Sequence, residues 1–137
     1  MNEGKKFKIV ITEYNFKDAE IEKKTLEGLD CEIIETHSDD EEVIIRECAD
    51  ADALIVQFAP ITEKVINSLN KCKVISRYGI GVDTMDLNAA KSKGILVCNV
   101  PDYCLEEVAE HCLALILSIG RKIVHLSPYL LKNLLVS

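Results

Sequence analysis

No two of the six cysteines form a C-x-x-C pair, and none stands at metal-ligand spacing from the three histidines. The sequence therefore gives no reason to expect a metal site or a dithiol redox motif. The cysteines read as small hydrophobes inside apolar runs, kept reduced in a cytosolic redox poise. No apolar run reaches 18 residues, which excludes an ordinary membrane-spanning helix and leaves no membrane partner to expect. The opening Met1-Asn2-Glu3-Gly4-Lys5-Lys6 has no apolar signal region with a cleavage site, so a cytoplasmic location is expected. Basic residues are outnumbered, 16 against 23 acidic ones, and the net charge of −7 argues against non-specific nucleic-acid binding. Internal repeats and low-complexity tracts are also missing.

What is present is enough for one soluble domain: 137 residues, of which 48% are apolar, allow a sizeable core. Apolar runs alternate with amphipathic ones. Phe7 to Ile11, Glu32 to Glu35, Ala53 to Gln57, Lys73 to Ser76 and Ile95 to Val100 read as strands. The charged flanks of the second suit an edge strand. Between them, Asp18 to Leu29 reads as a helix with Ile21, Leu26 and Leu29 toward the core. Asp40 to Cys48 follows as another, capped by Ser38, with the acids Asp39 to Glu42 suiting the helix dipole. Thr62 caps a short helix to Leu69. Met85 to Lys93 is a helix stopped by Gly94. Strands alternating with helices imply right-handed crossovers and a parallel sheet. The expected fold is α/β, a flavodoxin-like doubly wound five-stranded parallel sheet of order 2-1-3-4-5, with a long apolar helix at its C-terminal end.

That last helix, Leu105 to Ile119, is apolar on nearly every side: Val108, Ala109, Cys112, Leu113, Leu115, Ile116 and Leu117 are interrupted by few polar residues. Such a helix needs burial on several sides, and one small sheet covers only one. After Arg121-Lys122 come Leu126, Leu130, Leu131, Leu134, Leu135 and Val136. Residues 105–136 are therefore expected to pair with a neighbouring copy as a homodimer.

The stretch "SRYGIGVDTMDLNAAKSKG", residues 76–94, poses the functional question. Gly79-x-Gly81 begins like the dinucleotide fingerprint G-x-G-x-x-G, but Thr84 holds the place of the third glycine. Taken alone, the loop is either a ligand-holding turn or a plain strand-to-helix turn. Arg77 is either an anion ligand or the partner of a surface carboxylate. Asp83 suits a helix start better than an acid catalyst. His111, beside Glu110, suits a packed position better than an acid–base dyad.

Residues 74–117, "VISRYGIGVDTMDLNAAKSKGILVCNVPDYCLEEVAEHCLALIL", closely resemble the N-terminal portion of D-isomer-specific 2-hydroxyacid dehydrogenases. The phosphoglycerate-dehydrogenase-like and C-terminal-binding-protein-like branch is the best match. The glycine loop with Val82-Asp83 and Asp86, Ala89-Ala90, Gly94-Ile95, Asn99-Val100-Pro101 and Val108-Ala109-Glu110-His111 agree in order and spacing. The resemblance extends from residue 5 to about residue 125. It implies a substrate domain split by a nucleotide-binding domain, so residues 1–104 are expected to be the N-terminal portion of the substrate domain. Residues 105–137 are then an inter-domain helix and a truncated tail, with the nucleotide-binding domain absent. Leu126 to Ser137 depart from the family, which usually has a more polar stretch with a tryptophan there. No second glycine fingerprint follows Gly120.

By that resemblance, the amides of Ile80 and Gly81, freed by the glycines at 79 and 81, would hold the carboxylate of a 2-hydroxy or 2-oxo acid. Arg77 would add an anion contact, Tyr103 an aromatic substrate contact, and Val108 a contact to the nicotinamide end of NAD. The family moves a hydride between NAD(H) and such acids, and its catalytic residues come later, so none is expected in this chain. The chain alone is expected to be inactive and not to bind NAD. The alternative is a free-standing flavodoxin-like regulatory or dimerisation module. A receiver domain would want two acids after the first strand, where only Glu13 stands. A flavin site would want small residues where Tyr14-Asn15-Phe16 stand.

Overall fold

The computed structural model describes residues 6–134. Five strands form one all-parallel sheet: β1 (Phe7–Ile11), β2 (Cys31–Glu35), β3 (Ala53–Val56), β4 (Val74–Arg77) and β5 (Leu96–Cys98). Their spatial order is β2-β1-β3-β4-β5, as the alternating sequence pattern requires. The helices between them are α1 (Glu20–Thr25), α2 (Glu41–Cys48), α3 (Glu63–Ser68) and α4 (Leu87–Ser92). Two more follow, α5 (Leu105–Gly120) and α6 (Ile123–Leu134). The chain falls into two compact units, Met1–Pro101 and Asp102–Ser137.

In the sheet unit, alternation is clearest along β3, where Leu54 and Val56 are buried and Ala53 and Ile55 only half-buried, while β1 buries the adjacent Val10 and Ile11. Val10, Leu54, Val56 and Ile75 point to one face and meet Ile44 and Cys48 of α2, Val65 and Ile66 of α3, and Ala90 of α4. Burying each large aliphatic side chain there contributes roughly 1.5–3 kcal/mol. The connections explain the placing of the helices. From β2 the chain steps through β3 and β4 to β5 in one direction, so right-handed crossovers put α2, α3 and α4 on one face. The step from β1 to β2 runs the opposite way and sends α1 to the other face.

Capping follows the sequence with one change. Thr62 accepts from the Val65 amide at 3.3 Å, and Asp86 caps α4 by accepting from the Ala89 amide at 2.9 Å. Gly94, at φ +67°, ends α4 in the left-handed conformation that a glycine adopts without strain. For α2, however, the cap is Asp40, which accepts from the Glu42 and Val43 amides. Ser38 lies one step outside and accepts from the Asp40 amide. A carboxylate placed nearer the helix displaced the hydroxyl.

The expected helix from Asp18 to Leu29 is the main correction. Only Glu20–Thr25 is helical, and it buries no residue. Ile21 and Leu29 are 78% and 63% exposed. Glu20, Glu22, Lys23 and Lys24 surround this helix with charge, leaving no continuous apolar stripe to dock. The strand ends also move: β4 runs on to Arg77, and β5 is only three residues long.

In the second unit, α5 is a 16-residue helix and packs against α6. Within the single chain none of its residues is buried, and Ile116 and Ile119 are 66% and 78% exposed. Helix α6 contains Pro128, which removes one backbone donor from its interior. The side-chain expectations for Leu130, Leu131, Leu134, Leu135 and Val136 fall outside the described residues. Among the described residues, no helix is long and apolar enough to cross a membrane.

Candidate functional site at the glycine loop

Because all five strands are parallel, the loops that follow them gather at one edge of the sheet. The strand order reverses between β1 and β3, and ligands of such sheets bind at the carboxyl ends beside that reversal. Three loops meet here: those after β1, after β3 and after β4. They are tied together. The Glu13 carboxylate accepts from the Phe58 amide and, at 2.6 Å, from the Ala59 amide. The Asn15 amide donates to Gln57 Oε1 at 2.7 Å. The Tyr78 amide donates to the Val56 carbonyl at 2.9 Å.

Arg77 is the last residue of β4, half-buried beneath the glycine loop. Its Nε donates to the Gln57 carbonyl at 3.0 Å and its Nη1 to the Gly81 carbonyl. The guanidinium thus links the β3 loop to the glycine loop and leaves a positive charge at their junction. Gly79 has φ +143°, a backbone conformation that side chains disfavour. At Gly81 an added Cβ would lie 3.1 Å from both Arg77 Nη1 and Asp83 Oδ2, so a side chain there would push these two groups aside by a few tenths of an ångström.

The hydrogen bonding of this loop is one-sided. The Gly79 carbonyl accepts from the Val100 amide at 2.9 Å, and the Ile80 carbonyl from Asn99 Nδ2 at 2.7 Å. Among the described residues, the amides of Ile80 and Gly81 have no acceptor. Tied carbonyls beside two free consecutive amides make a cradle suited to an anion.

The same geometry shows why the glycines are not a dinucleotide fingerprint. In that fingerprint the helix opens at the glycines and its N-terminus receives a pyrophosphate. Here the loop passes through Asp83 and Thr84 before α4, and the Asp86 carboxylate already holds the amide at the start of that helix. Two carboxylates stand where a pyrophosphate would need positive potential. At α5 the first turn carries Glu106 and Glu107. The glycine loop and these two helix starts therefore do not fit the pyrophosphate of a dinucleotide.

Beside the glycine loop runs a row of rings that the sequence reading did not single out as a site. Tyr78 meets Phe16 edge-on at 5.3 Å between centroids, Phe16 stacks with Tyr14 at 6.2 Å, and Tyr14 contacts His37 at 5.2 Å. Each tyrosine hydroxyl donates to a carboxylate, Tyr14 to Glu35 and Tyr78 to Glu22. That donation, with burial, pushes Tyr14 up to about 12. Burial first and Glu22 second raise Tyr78 further. Glu35 moves the other way, held below the usual carboxylate range by the Tyr14 hydroxyl and by Lys23 at 2.9 Å. Glu13, Phe16 and Phe58 follow directly after β1 and β3, and that position beside the strand reversal was the available signal.

Tyr103 and Val108 belong to the second unit, where they are 57% and 59% exposed. His111 is exposed on α5, not packed as its apolar surroundings suggested. Of the six thiols only Cys48 and Cys72 are buried, while Cys98 and Cys112 are exposed. Burial pushes the Cys48 thiol up to about 12, which keeps it protonated and inert. Among the described residues, no cluster of histidines, cysteines and acids could hold a metal ion.

Residues 9–125 match the model of the D-isomer specific 2-hydroxyacid dehydrogenase catalytic domain. The chain belongs to this family. The D-3-phosphoglycerate dehydrogenase of Methanocaldococcus jannaschii is 42% identical over 83 residues, which are 60% of this chain and 16% of that protein. The human D-3-phosphoglycerate dehydrogenase is 37% identical over 102 residues, 74% of this chain and 19% of that protein. Among solved structures, D-lactate dehydrogenase from Aquifex aeolicus, complexed with NAD and lactic acid, is similar with a TM-score of 0.77 and 28% identity. That similarity covers 91% of this chain and 37% of the other. This family member thus spans less than a fifth of the curated relatives it matches. The resemblance read from residues 74–117 is the family found, and the parallel sheet is its fold.

Proposed function

We propose that the glycine loop holds the carboxylate of a small 2-hydroxy or 2-oxo acid, as the substrate loop of an NAD-dependent D-2-hydroxyacid dehydrogenase. The observation that carries this reading is the pair of acceptor-free amides at Ile80 and Gly81, beside loop carbonyls that are already engaged. Two amides and the Arg77 charge complement a carboxylate; the preceding strand and the Asn99 bond hold them in place. Preorganised donors of this kind cost little reorganisation when the ligand arrives.

The division of labour follows from what the chain contains. In the assembled enzyme, a nicotinamide cofactor supplies or accepts the hydride. This chain's residues orient the acid: Ile80 and Gly81 through their amides, Arg77 through its charge, Tyr103 as a substrate contact and Val108 toward the nicotinamide end. No catalytic residue is assigned here. The 137 residues alone are proposed to be inactive and to bind no NAD, because Asp83 and Asp86 oppose a pyrophosphate beside the glycine loop. Residues 105–136 are proposed to pair with a second copy, supported by the exposed apolar side chains of α5.

Nitrogen–proton correlation spectra of the chain titrated with pyruvate test this reading. The Ile80 and Gly81 amides are expected to move together and to saturate. Arg77→Ala should weaken binding about tenfold, the order expected for a charge-assisted contact. NAD should move neither resonance. Pyruvate that leaves both amides unmoved would refute the carboxylate role and favour the dimerisation-module reading, which rests on the exposed α5 alone.

A further inference from the structure

A cavity of about 310 Å³ lies beside the glycine loop, lined by Phe16, Lys17, Asp18, Ile21, Glu22 and Tyr78. Tyr78 belongs to both places. Its amide is fixed to the β3 end, its neighbour Gly79 opens the carboxylate cradle, and its ring forms a wall of the cavity. A ligand with its carboxylate on the Ile80 and Gly81 amides has this cavity as an adjoining space.

The lining has a definite chemistry. Phe16, Ile21 and the face of Tyr78 are apolar, and Phe16 and Ile21 are 50% and 78% exposed, although they lie far from any chain end. The formal charges do not favour an anion. Lys17 is offset by Asp18 beside it, and Glu22 remains, held in place by the Tyr78 hydroxyl at 2.8 Å. Behind the ring row stands a second carboxylate, Glu35, whose nearest cation, Lys23, is already shared between Glu35 and Glu20. Arg77 is committed to two backbone carbonyls of the loops. The single cation of the lining, Lys17, stands against two carboxylates, Asp18 and Glu22, so a phosphate or second carboxylate on the substrate's far end would meet net negative charge.

We propose that the acid seated on the glycine loop carries an uncharged aliphatic or aromatic side chain, and that Phe16, Ile21 and Tyr78 receive it. This rests on the carboxylate reading and narrows it: the substrate class is an apolar 2-oxo or 2-hydroxy acid, not a phosphorylated one. It also gives a use to Ile21, whose exposure the fold leaves unexplained.

The test titrates the 137-residue chain with three acids and follows amide and side-chain resonances: pyruvate, 4-methyl-2-oxopentanoate and 3-phosphoglycerate. The larger aliphatic acid is expected to bind at least about tenfold more tightly than pyruvate, as a few methylenes in an apolar pocket allow. Its methyl groups should show contacts to Phe16 and Ile21. The phosphorylated acid is expected to bind no better than pyruvate. Phe16→Ala and Ile21→Ala should each remove most of the gain, so that in either variant the aliphatic acid binds about as well as pyruvate does; both residues are too exposed for these changes to unfold the sheet. The proposal is overturned if 3-phosphoglycerate binds more tightly than 4-methyl-2-oxopentanoate, or if both variants leave the aliphatic preference intact. Either result leaves the carboxylate reading standing, provided pyruvate still moves the Ile80 and Gly81 amides. Failure of pyruvate to move them removes both.

Discussion

The sheet unit and the α5–α6 pair are both rich in large aliphatic residues, and they use them differently. In the sheet, Val10, Leu54, Val56 and Ile75 are wholly buried, because strand alternation sends them to one face and three helices close over it. In α5 the aliphatic residues surround the helix, and α6 meets only part of that circumference, so the helix buries none of them. Apolar content alone therefore does not make a core. The residues must face a common side, and a second surface must be present to receive them. Each large side chain left exposed on α5 forgoes roughly 1.5–3 kcal/mol of burial, which is the driving force for the pairing proposed for residues 105–136.

The largest expected effects come from striking each region in turn. Leu54→Ala should lower the stability of the sheet unit by about 2–5 kcal/mol, through lost burial and the cavity left behind. Urea unfolding should show that loss at every protein concentration. Ile116→Asp should leave the sheet transition within about 0.5 kcal/mol at high dilution, as for an ordinary surface substitution. Its effect should appear only as a loss of association in sedimentation velocity at high concentration. If Ile116→Asp shifted the dilute transition as strongly as Leu54→Ala, α5 would be part of the same core and the contrast would collapse.

The two regions also differ in how far the sequence could be read. The sheet was legible because its rules are local and periodic. Apolar runs of strand length alternated with capped helices, and Thr62 and Gly94 marked their boundaries correctly. The residues that bind or shape a ligand were legible only where the chain carried a distinctive motif, as in Arg77-Tyr78-Gly79-Ile80-Gly81. Glu13 and Phe58 are 45 residues apart in sequence, and their contact exists only because β1 and β3 are neighbours. Ile21 was misplaced because it was counted as one apolar position of an amphipathic helix. The helix closed after Thr25, too short and too highly charged to dock that position.

A smaller effect is expected at the glycine loop, where shape matters more than burial. Gly79→Ala places a Cβ on a residue at φ +143° and should destabilise the sheet unit by about 1 kcal/mol or somewhat more. The loop can relieve part of that strain by moving, and the amides of Ile80 and Gly81 would move with it. Pyruvate binding should therefore fall further than stability does. A variant with normal pyruvate affinity and a lowered melting temperature would show that Gly79 serves the turn and not the cradle.

The smallest effect is electrostatic and confined to the edge of the sheet unit. Glu35 on β2 accepts from the Tyr14 hydroxyl, lies 2.9 Å from Lys23 and 3.5 Å from His37, and has its pKa lowered from 4.5, chiefly by Tyr14. A carboxyl whose folded value is depressed takes up its proton more readily in the unfolded chain. Its contribution is therefore complete above about pH 4.5 and is lost as the pH falls through the lower folded value. Tyr14→Phe keeps the ring against Phe16 and His37 and removes only the donated hydrogen bond. The variant should melt slightly below the parent at neutral pH. The difference should shrink toward zero as the pH falls below 4.5, because the parent then loses what the variant never had. Melting curves between pH 6 and pH 3 would show this convergence. A difference that stayed constant across that range would mean that the hydroxyl acts through packing or through a neutral hydrogen bond, and not through the charge on Glu35.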